Sequence, residues 1–244
     1  MALYDKAVQD VKARMARAAR EAGRDPSGVT LLAVSKTFPS AAIRAVHAAG
    51  QRAFGENYVQ EGAAKRAELA DLPGLELVLI GPLQGNKTRE AAAVFDRVES
   101  VDRLKIAERL SAQRPADRAP LEVLVQVNIS GEATKSGVPA GAAVALAKAV
   151  AALPRLAFRG FMGIAEPTAD IARQRAQFAT LARCRDEARA AGLAADTLSM
   201  GMTDDMEAAI AAGATEVRIG TAIFGRRAPA TPCARSASAR RAVR

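Results

Sequence analysis

The apolar positions of this chain change period repeatedly along its length. From Leu3 through Ala7, Val8, Val11 and Met15 they recur at helical spacing, and Gly23 closes the run, which predicts an amphipathic helix over residues 1–23. Short β-rich runs and helical segments then alternate. The first strand is about Thr30–Lys36, with a helix over Ser40–Ala49 stopped by Gly50. The second is Arg52–Asn57, followed by a helix to Leu69. Leu75–Gly81 precedes a helix over Asn86–Phe95. Arg97–Val101 precedes a helix to Arg114, with Asp102 as its N-cap. Leu121–Ile129, nearly all apolar or β-branched, is the clearest strand, and Pro139–Leu153 is its helix. Leu156–Ile164 leads to a long helix over Asp170–Ala191. Thr197–Met202 leads to a helix capped by Thr203 that runs through Ala212, and Glu216–Thr221 is the eighth strand.

Eight strands, each followed by a helical segment, predict an α/β fold: a single (β/α)8 TIM barrel with an extra N-terminal helix. The runner-up is a doubly wound open sheet. Nothing like GxGxxG opens a helix after the first strand, which argues against a dinucleotide fold. No linker divides the chain before residue 228, so residues 1–227 are read as one domain and 228–244 as a tail.

Composition narrows the picture. The 244 residues are 50% hydrophobic but only 4% aromatic, with no Trp, so the core must be built from Ala, Val, Leu and Ile. No stretch of about 18 apolar residues is present to span a membrane, and Met1–Arg20 lacks the apolar stretch of a secretory signal. Cys184 and Cys233 lie far apart, and no Cys/His cluster suggests a metal site. A cytoplasmic protein is the simplest expectation. The net charge of +9 is uneven: six arginines and no acid lie between Arg226 and Arg244, leaving +3 for the first 225 residues. That Ala-, Pro-, Ser- and Thr-rich tail is expected to be disordered. No aromatic residue is interleaved with its arginines, which argues against a role in stacking on nucleic-acid bases.

The candidate chemistry gathers at the strand ends, the functional face of such a barrel. Leu31-Leu32-Ala33-Val34-Ser35-Lys36 closes an apolar strand on an amine. At the rim of a core, desolvation disfavours the ammonium form and makes the amine a nucleophile toward aldehydes. Ser199–Thr203 and Arg218–Ala222 end strands seven and eight. Each offers small residues, backbone N–H groups and a hydroxyl before a helix, the usual phosphate position of a barrel. A phosphorylated aldehyde with a lysine partner suggests pyridoxal 5′-phosphate as cofactor. Lys36 would form the Schiff base, and strands seven and eight would hold the phosphate across the barrel mouth. Arg218 would face the pyridine nitrogen, where a permanent cation keeps that nitrogen unprotonated and damps carbanion chemistry.

Five strings carry a resemblance: LLAVSKTFP (31–39), FGENYVQE (54–61), IGPLQGNK (80–87), VNISGEATKSG (128–137) and LSMGMTDDMEAAIAAGATEVRIGTAIFG (198–225). In order, and across nearly the whole chain, they resemble the pyridoxal phosphate homeostasis proteins. The resemblance implies a single barrel like the alanine racemase N-terminal domain, with the cofactor on Lys36. It also implies phosphate contacts at Ser199, Gly201, Gly220 and Thr221, the family's arginine at Arg218, and Asn57 near the cofactor. The implied role is to hold and deliver pyridoxal phosphate, with indirect effects on amino-acid and keto-acid balance. Where the family carries an aromatic–His pair before IGPLQ, this chain has Leu77 and Val78.

The alternative is a racemase-like enzyme with weak activity. Two-base racemisation needs a group on each face of the cofactor. In alanine racemases the second base is a tyrosine from a partner's β-domain. Here only Tyr4 and Tyr58 are present, and no segment remains to build such a domain; Tyr58 is read as rim or packing. The single histidine, His47, is expected on the outer surface. A non-catalytic carrier is therefore expected: a monomer that delivers cofactor to pyridoxal phosphate-dependent apo-enzymes, with Lys65, Lys87 and Lys135 as candidate rim amines for passing it along.

Overall fold

In the computed structural model, which describes residues 2–132 and 136–226, eight parallel strands close on themselves. They are β1 (Thr30–Val34), β2 (Ala53–Glu56), β3 (Glu76–Leu79), β4 (Arg97–Val101), β5 (Leu121–Asn128), β7 (Leu156–Gly163), β8 (Thr197–Ser199) and β9 (Glu216–Ile219). A two-residue strand, β6 (Val138–Pro139), lies beside Val127 and Asn128 of β5; the sequence pattern did not predict it. Pairing of β4 with β5, through Arg97–Glu122 and Val98–Val123, completes the circle. Closure also makes β9 the neighbour of β1, with Leu32 opposite Arg218. The two strand ends expected to face each other across the mouth are therefore adjacent.

The outer layer is α2 (Ser40–Ala48), α3 (Val59–Glu68), α4 (Thr88–Val94), α5 (Leu104–Gln113), α6 (Ala140–Ala151), α7 (Ile171–Ala190), α8 (Met206–Ala211) and α9 (Thr221–Phe224). The extra helix α1 (Ala2–Glu21) buries Val8, Val11, Met15, Ala18 and Ala19 and packs on α2, α8 and α9. Its Arg14 grips Glu207 of α8 in a two-pronged ion pair, Nε–Oε1 2.5 Å and Nη2–Oε2 2.6 Å. No helix of the described residues is long and apolar enough to cross a membrane.

Two cores result from the two-residue period of the strands. Positions such as Ala33, Phe54, Leu77, Leu79, Val98, Val123 and Val125 join one apolar cluster with the helices. The alternate positions Leu32, Val34, Val78, Leu124 and Met162 are buried outside that cluster. They share the barrel interior with Arg97, Glu99, Ser199, Glu216 and Arg218, all buried.

Several local expectations are corrected. Asp102 does not cap α5; it pairs with Arg103, which itself precedes the helix. Thr203 does not cap α8, which starts three residues later, and Asp205 occupies that position. Strands β8 and β9 end at Ser199 and Ile219, sooner than the apolar runs suggest, because glycines at 201 and 220 turn the chain. His47 is buried rather than on the outer surface, with Nε2 2.9 Å from the Pro73 carbonyl. The expectation of a disordered tail over 228–244 falls outside the described residues.

Midway along β7 the register with β5 slips, Val123 facing Phe158 and Leu124 facing Gly160, so Arg159 is the extra residue of a β-bulge. Gly160 has φ +145°, and a Cβ there would lie 2.0 Å from the Thr197 carbonyl oxygen on β8. Gly160→Ala should therefore cost about 2–4 kcal/mol of stability, combining backbone strain and overpacking. Urea unfolding measures it; an unchanged midpoint would show that the bulge tolerates a side chain.

Candidate functional site

At the C-terminal ends of the strands lies a cavity of about 500 Å3, within the usual range for small-molecule sites. Val34 and Lys36 line it after β1, Asn57 after β2, and Ile80–Pro82 after β3. Gln126 and Asn128 of β5, Ser136, and Ile164 after β7 add to the wall. Met202–Asp204 after β8, and Arg218, Gly220 and Thr221 of the β9 end, complete it.

Lys36, half-buried, sits in a tight turn fixed on both sides. Before it, the Ser35 hydroxyl donates to Glu56 Oε1 (2.5 Å), and the Ser35 carbonyl accepts from Lys65 Nζ (2.8 Å). After it, Thr37 adopts φ +69°, an unusual conformation for a β-branched residue, and its N–H donates to Glu61 Oε1 (2.6 Å). Lys65 joins both halves by donating to Glu56 Oε1 (2.7 Å) and Glu61 Oε1 (2.8 Å). Glu56 and Lys65 are almost wholly buried. Burial pushes the Glu56 carboxyl up, opposed chiefly by the Lys65 ammonium. Phe38, next in the chain, stacks on Phe224 of α9 with ring centroids 5.1 Å apart, tying this turn to the end of β9.

Arg218 approaches the cavity from below. Its Nη1 donates to Ser199 Oγ (2.8 Å) and its Nη2 to the Gly163 carbonyl (2.8 Å), which fixes the plane of the guanidinium. Ser199 Oγ donates in turn to Glu99 Oε2 (2.6 Å). Burial lowers the Arg218 pKa, and burial beside Glu216 holds the Glu99 carboxyl well above the usual carboxylate range.

Of the seven expected site residues, the structure brings Lys36, Asn57, Arg218, Gly220 and Thr221 to one cavity. Ser199 and Gly201 are not on its wall. The Ser199 hydroxyl is occupied beneath Arg218. Gly201, at φ +95°, is small because a Cβ there would lie 2.5 Å from Ala209 of α8. Thr203, expected as a cap and as the end of the Ser199–Thr203 stretch, is on the wall. The helices after β8 and β9 have six and four residues, so helix dipoles add little. The amides of Thr221 and Ala222 precede the first intrahelical bond and have no intrahelical acceptor. Lys65 is not a rim amine, since it is locked in the clamp above. Lys87 is not on the cavity wall, and Lys135 lies outside the described residues. Tyr58, 60% exposed, stands on the rim at the start of α3. Among the described residues no cluster could hold a metal ion. Cys184 is buried, its thiol pushed up to about 11, and takes no part in the site.

The carboxyl cluster beneath the floor went unread in the sequence. Its signal was present: RVES and EVRI each place opposite charges two residues apart, hence on one face of a strand.

The fold and its lysine-closed first strand define a barrel of the alanine racemase type: the family model described as the alanine racemase N-terminal domain matches residues 8–228. The chain is 60% identical over 220 residues, 90% of its length and 94% of the relative's, to the pyridoxal phosphate homeostasis protein of Pseudomonas aeruginosa. Its identity to the Escherichia coli protein of that name is 52%, covering 89% of this chain and 94% of the other. PipY of Synechococcus elongatus, solved with PLP bound, superposes with a TM-score of 0.78 at 36% identity, covering 91% of this chain and all of PipY. The chain belongs to the family of pyridoxal phosphate homeostasis proteins.

The donor set fits pyridoxal phosphate. A primary amine, a buried guanidinium with part of its edge on the cavity, two threonine hydroxyls and helix-start amides meet around one space large enough for it.

Two predictions follow from the buried charges. Lys65→Met leaves Glu56 and Glu61 without their cation and should cost about 3–5 kcal/mol in urea unfolding, much of it recovered by adding Glu56→Gln. No recovery in the double variant would mean the carboxylate is not the cause. The second concerns pH. The Glu99 pKa is raised on folding, so its contribution to stability is complete below the unfolded value and is lost as pH rises toward the folded one. Glu99→Gln should gain on wild type by up to ~1.4 kcal/mol per pH unit through that window, and gain nothing in acid. A difference independent of pH would contradict the assignment.

Proposed function

We propose that this protein binds pyridoxal 5′-phosphate at the barrel mouth through Lys36 and holds it reversibly for delivery. The observation that carries this reading is the meeting of Lys36, Arg218, Gly220 and Thr221 on one cavity wall. Pyridoxal phosphate supplies an aldehyde that condenses reversibly with a primary amine, releasing water. The chain's own residues do the rest. Thr203 and Thr221 offer hydroxyl donors, and the start of α9 offers amides, to a phosphate. Asn57 and Arg218 bound the space left for the ring, and the clamp on Ser35 and Thr37 orients the Lys36 side chain. A guanidinium stays protonated, so at Arg218 it donates hydrogen bonds to a ring nitrogen without passing it a proton. That disfavours carbanion chemistry and suits holding over turnover.

The composition of the wall supports the same reading. Among the described residues its ionisable groups are Lys36, Asp204 and Arg218, with no histidine or tyrosine to serve as a second base. The recipients are pyridoxal phosphate-dependent apo-enzymes, and the carrier works as a monomer.

The test is an absorbance spectrum of wild type and Lys36→Ala with pyridoxal phosphate, then borohydride reduction and peptide mapping. The expected result is a visible band in wild type that the variant lacks, with the reduced cofactor mapped to Lys36. An undiminished band in Lys36→Ala, or no band in wild type, overturns the proposal.

A further inference from the structure

Arg218 is buried, yet among the described residues no carboxylate lies within ion-pair distance of its guanidinium. Its two recorded partners are neutral acceptors, the Ser199 hydroxyl and the Gly163 carbonyl. A charge left in this way is costly unless a ligand completes it.

Beneath it, β4 and β9 carry opposite charges at alternate positions. Arg97 Nη2 is 2.5 Å from Glu216 Oε2 and 3.5 Å from Glu76 Oε1, and Arg97 Nε is 3.2 Å from Glu99 Oε1. One guanidinium thus serves three carboxyls. Glu99 Oε1 and Glu216 Oε1 are both buried without a hydrogen-bond partner. A proton on one of them, donated to the other, satisfies both. The charged groups acting on Glu99 include Arg97 from its own strand and Glu216 and Arg218 from β9. Glu76 of β3 and Glu122 of β5 act on the same cluster, Asp205 just before α8 acts on Arg218 along with Glu216, and β8 contributes the neutral Ser199.

We propose that Glu99 and Ser199 are positioning residues for Arg218. Ser199, held by Glu99, presents its oxygen to the guanidinium, and an un-ionised Glu99 leaves the Arg218 charge less offset toward a ligand acceptor in the cavity. When Glu99 ionises, a carboxylate one hydroxyl away offsets that charge and weakens the grip on the ligand. This rests on the reading of the cavity as a pyridoxal phosphate site, and it adds a pH control beneath the floor, apart from the ionisable wall residues Lys36 and Asp204.

The probe is pyridoxine 5′-phosphate, which keeps ring and phosphate but has an alcohol in place of the aldehyde, so Lys36 condensation does not enter. Its affinity is measured by calorimetry from acid to alkaline pH for wild type, Glu99→Gln and Ser199→Ala, with circular dichroism confirming the fold of each. In wild type the affinity should fall toward alkaline pH, and Glu99→Gln should flatten that fall once the ligand's own titration, common to both, is divided out. Ser199→Ala should bind about tenfold more weakly at neutral pH. Parallel profiles for wild type and Glu99→Gln, or wild-type affinity in Ser199→Ala, overturn the inference while leaving the cofactor reading intact. A wild type that binds neither this probe nor pyridoxal phosphate overturns both.

Discussion

The mouth of this barrel depends on one ammonium group. Lys65 Nζ reaches Glu56 at the end of β2, Glu61 in the first turn of α3 and the carbonyl of Ser35. Those three partners fix the residues on either side of Lys36. Without the cation, two carboxylates would be left facing each other near the core, and the Thr37 backbone would lose the acceptor that helps to hold its left-handed turn. A turn that carries a reactive amine costs backbone entropy whenever it must be ordered. Anchoring both neighbours of Lys36 places that backbone cost in the fold, before any ligand arrives.

The same economy appears one layer lower. Filling a parallel barrel with aliphatic side chains is the ordinary solution. Here that filling is interrupted by Arg97, Glu99, Glu216 and Arg218. The Arg97–Glu216 contact pairs two of these charges directly, while Arg218 is joined to Glu99 only through the Ser199 hydroxyl. The lower guanidinium also reaches Glu99 and Glu76 and is surrounded by carboxyls, whereas Arg218 is open toward the cavity. Buried ion pairs add little to stability over an apolar filling, so their presence in the interior is better understood through what they do to the exposed edge of Arg218.

Much of this architecture was legible from periodicity. The alternation of β-rich runs with helical segments was enough to give eight strands and the barrel, because each strand needs cover from a following helix. Strand ends were read less well. At Ser199–Gly201 the chain goes on bonding to β9 past the strand's last residue, Met200 N–H to the Glu216 carbonyl (3.1 Å) and Arg218 N–H to the Gly201 carbonyl (2.9 Å), so the apolar run overshoots the strand end. The phosphate contact that the resemblance implies at Ser199 meets a hydroxyl already engaged beneath Arg218, and Thr203, further along the same loop, lines the wall.

What stayed hidden were the contacts between strands far apart in sequence. Lys65 is expected as a rim amine from its helix position alone, where sequence spacing offers only Glu61, one turn away, as a partner. Only the path of β2 beneath α3 brings Glu56 to the same nitrogen and takes it out of solvent. Glu99 and Ser199 are a hundred residues apart, and their bond exists because closure brings β4 and β8 to face each other across a narrow interior. A two-residue period assigns each charge to a face of its own strand, but not which charges share the inside. That second step needs the number of strands and their stagger, which for eight strands leave an interior just wide enough for side chains to fill. Once the barrel is closed, the alternating charges of RVES and EVRI have nowhere to go but toward one another, and the site's electrostatics follow from topology as much as from composition.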